Sequence, residues 1–204
     1  MCQKGGARVL AHLDVNESEV FDILDDTHFA RLKQRARTGG VTWLHCAPPC
    51  KSCSRARRDD HWGRVPSLRS NAHPDGLPQL APALWAKVKE ANLIFERMVK
   101  IIRVVARGGG WWSVENPARS FIWQTKHVKK LFDLPRAEFY VGDQCVFGGK
   151  WRKATGWLSS CRAFDVLAVD CPGGDTHRHP PLDEEGQAPI RGGGVAHRVG
   201  CVIP

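Results

Sequence analysis

The sequence has no long apolar run. No window approaches the roughly 18 to 20 uninterrupted hydrophobic residues that a membrane-crossing helix needs, so neither a span nor a membrane partner is expected. The N-terminus also lacks the apolar core of a secretory signal. The eight cysteines therefore read as reduced thiols, a metal site or a catalytic group rather than a disulfide framework, and the expected location is intracellular, nuclear if the source is eukaryotic and otherwise cytoplasmic. There is no internal repeat, and 204 residues suffice for one domain with a real core. Acids are also in short supply, with 21 Asp and Glu against 30 Lys and Arg and a net charge of +9. That surplus favours a polyanionic partner, nucleic acid first.

What is present has the order of an α/β protein. Residues 7–15 read as a strand ending at Asp14, and residues 19–24 as a second strand followed by Asp25 and Asp26. Asp26 or Thr27 can cap a helix from His28 to about Arg37, which Gly39 and Gly40 stop. A buried strand over residues 41–44 follows. Residues 55–80 are rich in Arg, Ser, Pro and Gly and read as a long surface loop carrying Arg55, Arg57, Arg58, Arg64 and Arg69 with His61 and Trp62, a mixture suited to phosphates and an unstacked base. Residues 81–107 carry apolar positions at three- and four-residue spacing, the pattern of a crossover helix between parallel strands. After a strand over residues 110–114, a helix is expected over 120–132 and a hairpin over 143–157 about Gly148 and Gly149, with Lys150, Arg152 and Lys153 on its far arm. The fold expected is a mostly parallel, Rossmann-like sheet with helices on both faces, spanning residues 1–170, and residues 171–204 form an irregular tail.

Two stretches carry the chemistry. The first is Val41-Thr42-Trp43-Leu44-His45-Cys46-Ala47-Pro48-Pro49-Cys50, a strand running into a stiff turn that presents a thiol, with Lys51 and Arg55 close behind. The second, about sixty residues later, is Trp111-Trp112-Ser113-Val114-Glu115-Asn116-Pro117. In open parallel sheets, sites form beyond the carboxyl ends of the strands. A thiolate there could add to an electron-poor ring, and Glu115 could protonate a ring nitrogen. Taken alone, Glu115 reads equally as a helix-capping acid, Trp111 and Trp112 as packing, and the Lys150 to Lys153 cluster as a solvated hairpin.

These residues resemble a family. Ala47-Pro48-Pro49-Cys50-Lys51-Ser52-Cys53-Ser54 is similar to the Pro-Cys nucleophile loop of the C5 cytosine DNA methyltransferases, and Glu115-Asn116-Pro117 to their Glu-Asn-Val/Pro motif. The stretch from Gln144 to Arg152 is a looser match to their Gln-x-Arg-x-Arg strand. The likeness covers about residues 21–157 and is nearest to a divergent group of such domains in phages and in eukaryotic retroelement polyproteins. It implies a truncated methyltransferase fold that uses S-adenosylmethionine and acts on DNA, with RNA also open, as a monomer or part of a longer polyprotein. It further implies Cys50 as nucleophile on cytosine C6, Glu115 on N3 and Arg152 on O2. Asp14, Asp22, Asp25 and Pro48 would lie along the cofactor, and Arg55, Arg57, Arg58, Arg69, Lys150 and Lys153 along the nucleic acid. Lys51 stands where the family has Gln and Cys53 where it has Phe. The Phe-x-Gly-x-Gly cofactor loop is not found, so the chain reads as starting after that loop.

Other readings of the same residues differ in class. A remnant without catalysis would bind nucleic acid only. Cys46, Cys50 and Cys53 have the spacing that holds a 4Fe–4S cluster in radical S-adenosylmethionine enzymes. The same cysteines with His45 or His61, or Cys161 and Cys171 with His177 and His179, could bind zinc, although the spacings are irregular. Amine methylation is disfavoured, because Ala47-Pro48-Pro49-Cys50 lacks the polar first residue and the stacking aromatic of an Asn/Asp-Pro-Pro-Tyr motif.

Overall fold

The computed structural model describes residues 11–13, 22–55, 66–173 and 199–201. Asp14, Arg57, Arg58, His61, Trp62, Arg64, His177 and His179 lie outside the described residues. Strand β1 (Ala11–Leu13) falls within the first expected strand. Over residues 22–25 the chain turns instead of extending. The Asp22 carboxylate accepts from the Leu24 amide at 2.7 Å, and the Asp25 carboxylate accepts from the His28 amide at 2.7 Å, capping helix α1 (Asp26–Arg37). The cap is thus Asp25, one residue ahead of Asp26. Arg97 fixes this turn by donating to the carbonyls of Ile23 and Leu24 and pairing with Asp26. Gly39, at φ 74°, ends the helix in the left-handed conformation a side chain would resist.

Strand β2 (Trp43–Cys46) follows. Helix α2 (Pro82–Arg107) begins with proline in its first turn and buries Val88, Phe95, Met98, Ile102 and Val105 along the expected stripe. It delivers the chain through Gly108-Gly109-Gly110 to strand β3 (Trp111–Pro117), which pairs parallel to β2 with Cys46 opposite Val114. This β2–α2–β3 unit is the expected crossover.

The rest of the sheet differs from expectation. Strands β4 (Glu138–Asp143) and β5 (Ala154–Ser159) complete a sheet of order β2-β3-β5-β4, and β5 is antiparallel to both neighbours. The sheet is mixed, not mostly parallel. The physical reason is the connection. A parallel neighbour needs a crossover of a dozen or more residues, whereas β4 and β5 are joined by a 3-10 turn over Gln144–Phe147 and a left-handed Gly148. The expected hairpin exists, but its arms lie outside Gly148 and Gly149 at β4 and β5. The expected helix over 120–132 is two 3-10 turns, Phe121–Gln124 and Val128–Leu131. The Thr125 hydroxyl donates back to the Ile122 carbonyl at 2.8 Å and closes the first.

Side chains alternate across the sheet. Leu44, Cys46, Trp112, Val114 and Leu158 face α2 and share one core with it and with α1. Among the described residues both α-helices lie on this face, and the opposite face carries a 3-10 segment, Arg162–Leu167, whose Phe164 stacks on Trp43 at 5.7 Å. Helices on both faces are therefore not what the described residues show. At the far end of the chain, β6 (Val199–Cys201) pairs antiparallel with β1, so the segment after residue 170 is not irregular throughout. Residues 66–80 are a loop exposed at 71–73 and 78–79, as expected, but anchored to the fold. Leu68 and Arg69 are buried, and the Leu77 amide donates to the Leu68 carbonyl at 2.9 Å.

Candidate active site

The strand directions bring one set of residues to one edge. The carboxyl ends of β2, β3 and β4 and the start of β5 lie together there. Cys50 follows β2, Glu115 sits near the end of β3, Asp143 closes β4, and Arg152 and Lys153 precede β5.

The Cys50 loop is held at several points. Pro48 is buried, and its carbonyl accepts from Asn116 Nδ2 at 2.9 Å. The Cys53 amide donates to the Cys50 carbonyl at 2.8 Å, closing a turn. The Cys53 carbonyl then accepts from the Phe121 amide at 3.0 Å. Arg69 donates to the Ser52 carbonyl at 3.0 Å and to its hydroxyl at 3.2 Å. Arg55 donates to the Arg119 carbonyl at 2.6 Å and to Asn71 Oδ1 at 2.7 Å, with its guanidinium 4.1 Å above the Phe121 ring. Between these anchors Cys50 stays half-buried.

Glu115 projects from the opposite side of β3 to Asn116. It is half-buried, and its Oε1 has no hydrogen-bond partner among the described residues. Burial pushes its carboxyl above the usual carboxylate range, and the Lys153 ammonium partly opposes this. On the same face His45 sits opposite Ser113, with Nδ1 2.8 Å from the Ser113 hydroxyl. Burial pulls the imidazole pKa down, which favours the neutral ring. A half-exposed thiol and a carboxyl inclined to hold its proton thus stand on neighbouring strands. That pairing suits nucleophilic addition with proton donation to the acceptor.

The other expected site residues fall into separate groups. Arg152 Nε donates to Asp143 Oδ2 at 2.9 Å, and the cation that acts on Glu115 is Lys153. Lys150 is exposed on the same edge. Asp22 and Asp25 each use a carboxylate oxygen on a local amide. They are tied through Arg97 to α2, about 7.5 Å of helix rise from the Asn92 that anchors Arg69. One lone pair of the Pro48 carbonyl is already taken by Asn116. Arg69 is 2% exposed, with its donors on Ser52, the Pro74 carbonyl at 2.7 Å and Asn92 Oδ1 at 2.8 Å. It is a buried brace for the loop rather than an exposed phosphate contact, because four of its five N–H donors are already used inside the fold.

The cluster reading fails on packing. Cys46 and Cys53 lie in the apolar core, where burial pushes the Cys53 thiol up to about 11. Among the described residues no three of His, Cys, Asp and Glu are grouped to hold a metal. Beyond β3 lies a cleft of about 440 Å³ lined by Arg55, Arg119, Ser120, Trp123, Gln124 and Phe139. Sequence reasoning named Arg55 but missed Arg119, Trp123 and Phe139, which join it only through the fold. It also missed Asn116 as the clamp on Pro48, although its place after Glu115 on a strand already sends it to the other face.

No helix among the described residues is long and apolar enough to cross a membrane. Comparison of the chain with protein-family models, with curated proteins and with solved structures gave no match.

Proposed function

We propose that this chain is a C5 cytosine methyltransferase-like domain that acts on DNA. The observation that carries the reading is the pair of parallel neighbours β2 and β3, which bring Cys50 and a half-buried Glu115, its carboxyl pKa raised by burial, to one sheet edge.

In this reading the Cys50 thiolate adds to C6 of an unstacked cytosine while Glu115 delivers its proton to N3. When the C6–S bond later breaks, the N3 proton returns to Glu115. S-adenosylmethionine would supply the methyl group to C5 and be released as S-adenosylhomocysteine, and the C5 proton would pass to water as the C6–S bond breaks and frees the Cys50 thiolate. Lys153 keeps the Glu115 carboxyl from holding its proton too tightly. Asn116 and Arg69 position the Cys50 loop and touch no reacting atom. The base must leave a duplex stack to reach this edge, and the Arg55, Arg119, Trp123 and Phe139 cleft offers rings and cations for the strand beside it.

That cleft also favours a second reading, a nucleic-acid-binding module of the same fold without catalysis. Transfer of labelled methyl from S-adenosylmethionine to a cytosine-containing duplex separates the two. Transfer that Cys50→Ser abolishes supports the enzyme. DNA binding with neither cofactor binding nor transfer supports the module.

A further inference from the structure

A second basic surface lies away from this edge. Helices α1 and α2 run side by side, and toward their C-terminal ends they enclose a groove of about 570 Å³ lined by Lys33, Arg37, Lys100, Arg103, Val104 and Arg107, with Gly108 at its end. Because α2 feeds β3 directly, this groove sits at the start of β3, roughly 20 Å of strand from the Glu115 end.

Compensation of the helix dipoles does not account for all of this charge. Cations stabilise a helix C-terminus only within the last turn, and each C-terminus carries about half a negative charge. Arg37, Arg103 and Arg107 lie within or next to those turns, whereas Lys33 and Lys100 lie farther back. No carboxylate lines the groove. Of its five cations, Lys100 is paired with Glu96 at 2.5 Å. Subtracting that pair and about one unit for the two dipoles leaves a net charge of about +3. Arg37, Lys100, Arg103 and Arg107 are exposed. On α2 the cations recur at positions 100, 103 and 107, one face of the helix, over a rise of about 10 Å. At about 3.4 Å per nucleotide along each strand of a duplex, that length matches about three successive phosphates.

We propose that the α1/α2 groove binds a phosphate backbone, on a surface separate from the sheet edge that carries Cys50. The chemistry selects a phosphate backbone over a lipid surface. Val104 is the one apolar side chain in the lining, and none of the exposed large hydrophobic residues borders it. The proposal does not depend on the methyltransferase reading.

The test is salt-dependent binding of the whole chain to a short duplex made only of A·T pairs, which offers the proposed catalytic edge no cytosine. In the triple variant Lys33→Gln, Arg103→Gln, Arg107→Gln, affinity at low salt is expected to fall at least about tenfold. The slope of log affinity against log salt should become shallower by about 2 to 3. An unchanged affinity and slope in a folded variant overturns the proposal. Protection of Lys33 and Lys100 from amine acetylation in the wild-type chain, with Lys87 unprotected, supplies a reading that needs no variant. Equal acetylation with and without duplex overturns the proposal. So does a triple variant that loses binding to phosphatidylserine vesicles while its duplex binding is untouched.

Discussion

Replacement of Arg69 by Met tests whether this arginine braces the Cys50 loop or contacts nucleic acid. Met keeps much of the stem volume and removes the guanidinium. Four acceptors then lose their donor: the Ser52 carbonyl and hydroxyl, the Pro74 carbonyl and Asn92 Oδ1. A buried acceptor left unsatisfied costs about 1 to 3 kcal/mol. Removing a buried charge returns part of this, because burial already opposes the charged guanidinium. The net loss is about 3 to 5 kcal/mol, the range for breaking a buried charged network. At roughly 2 to 4 °C per kcal/mol for a chain of this size, Tm should fall by about 6 to 20 °C. Differential scanning calorimetry reads the shift directly, and duplex affinity below the transition should change little. A fall in Tm of under about 2 °C, or a loss of duplex affinity at unchanged Tm, would refute the brace and restore Arg69 to the nucleic-acid surface.

Three further outcomes follow from the site and its frame. Glu115 has a folded pKa above its unfolded value of about 4.3. Its contribution to stability is therefore full below that pH and is lost as pH rises through the folded pKa, so Glu115→Gln should remove this loss in pH-dependent denaturant melts. Iodoacetamide should label half-exposed Cys50 before core-packed Cys46 and Cys53, as peptide mass mapping would show; equal labelling of all three would contradict the loop geometry. Gly142→Ala should lower Tm by several degrees, since the added Cβ would lie 1.9 Å from the Leu167 carbonyl oxygen, a backbone atom that cannot swing away. An unchanged Tm would mean that the segment after residue 160 does not pack on β4.

Local pattern made part of this legible. The stripe from Val88 to Val105 announced α2, and the three glycines after Arg107 announced its end. The two strands were legible from their apolar runs, and two such strands joined by a crossover helix are neighbours, but each runs two or three residues beyond its expected end, to Cys46 and Pro117. The reversal of β5 was not legible, because strand direction depends on the path between strands and residues 144–153 contain little to distinguish a turn from a strand arm. Nor was the interior position of Arg69. An arginine among Ser, Pro and Asn reads as solvated, and only the return of residues 66–77 onto α2 shows that its hydrogen bonds close inward. Arg152 and Lys153 are adjacent in sequence, and their roles separate only where β4 ends in Asp143 and captures the arginine.

The central claim is that Cys50 is a nucleophile toward cytosine C6. It is tested most directly by incubating the whole chain with S-adenosylmethionine and an oligonucleotide containing 5-fluorocytosine. Fluorine cannot leave C5 as a proton does, so the covalent intermediate persists. The account predicts a denaturation-resistant adduct in the wild-type chain, weaker in Glu115→Ala and absent in Cys50→Ala. No adduct from a folded chain that binds the oligonucleotide, or an adduct that survives in Cys50→Ala, would contradict it.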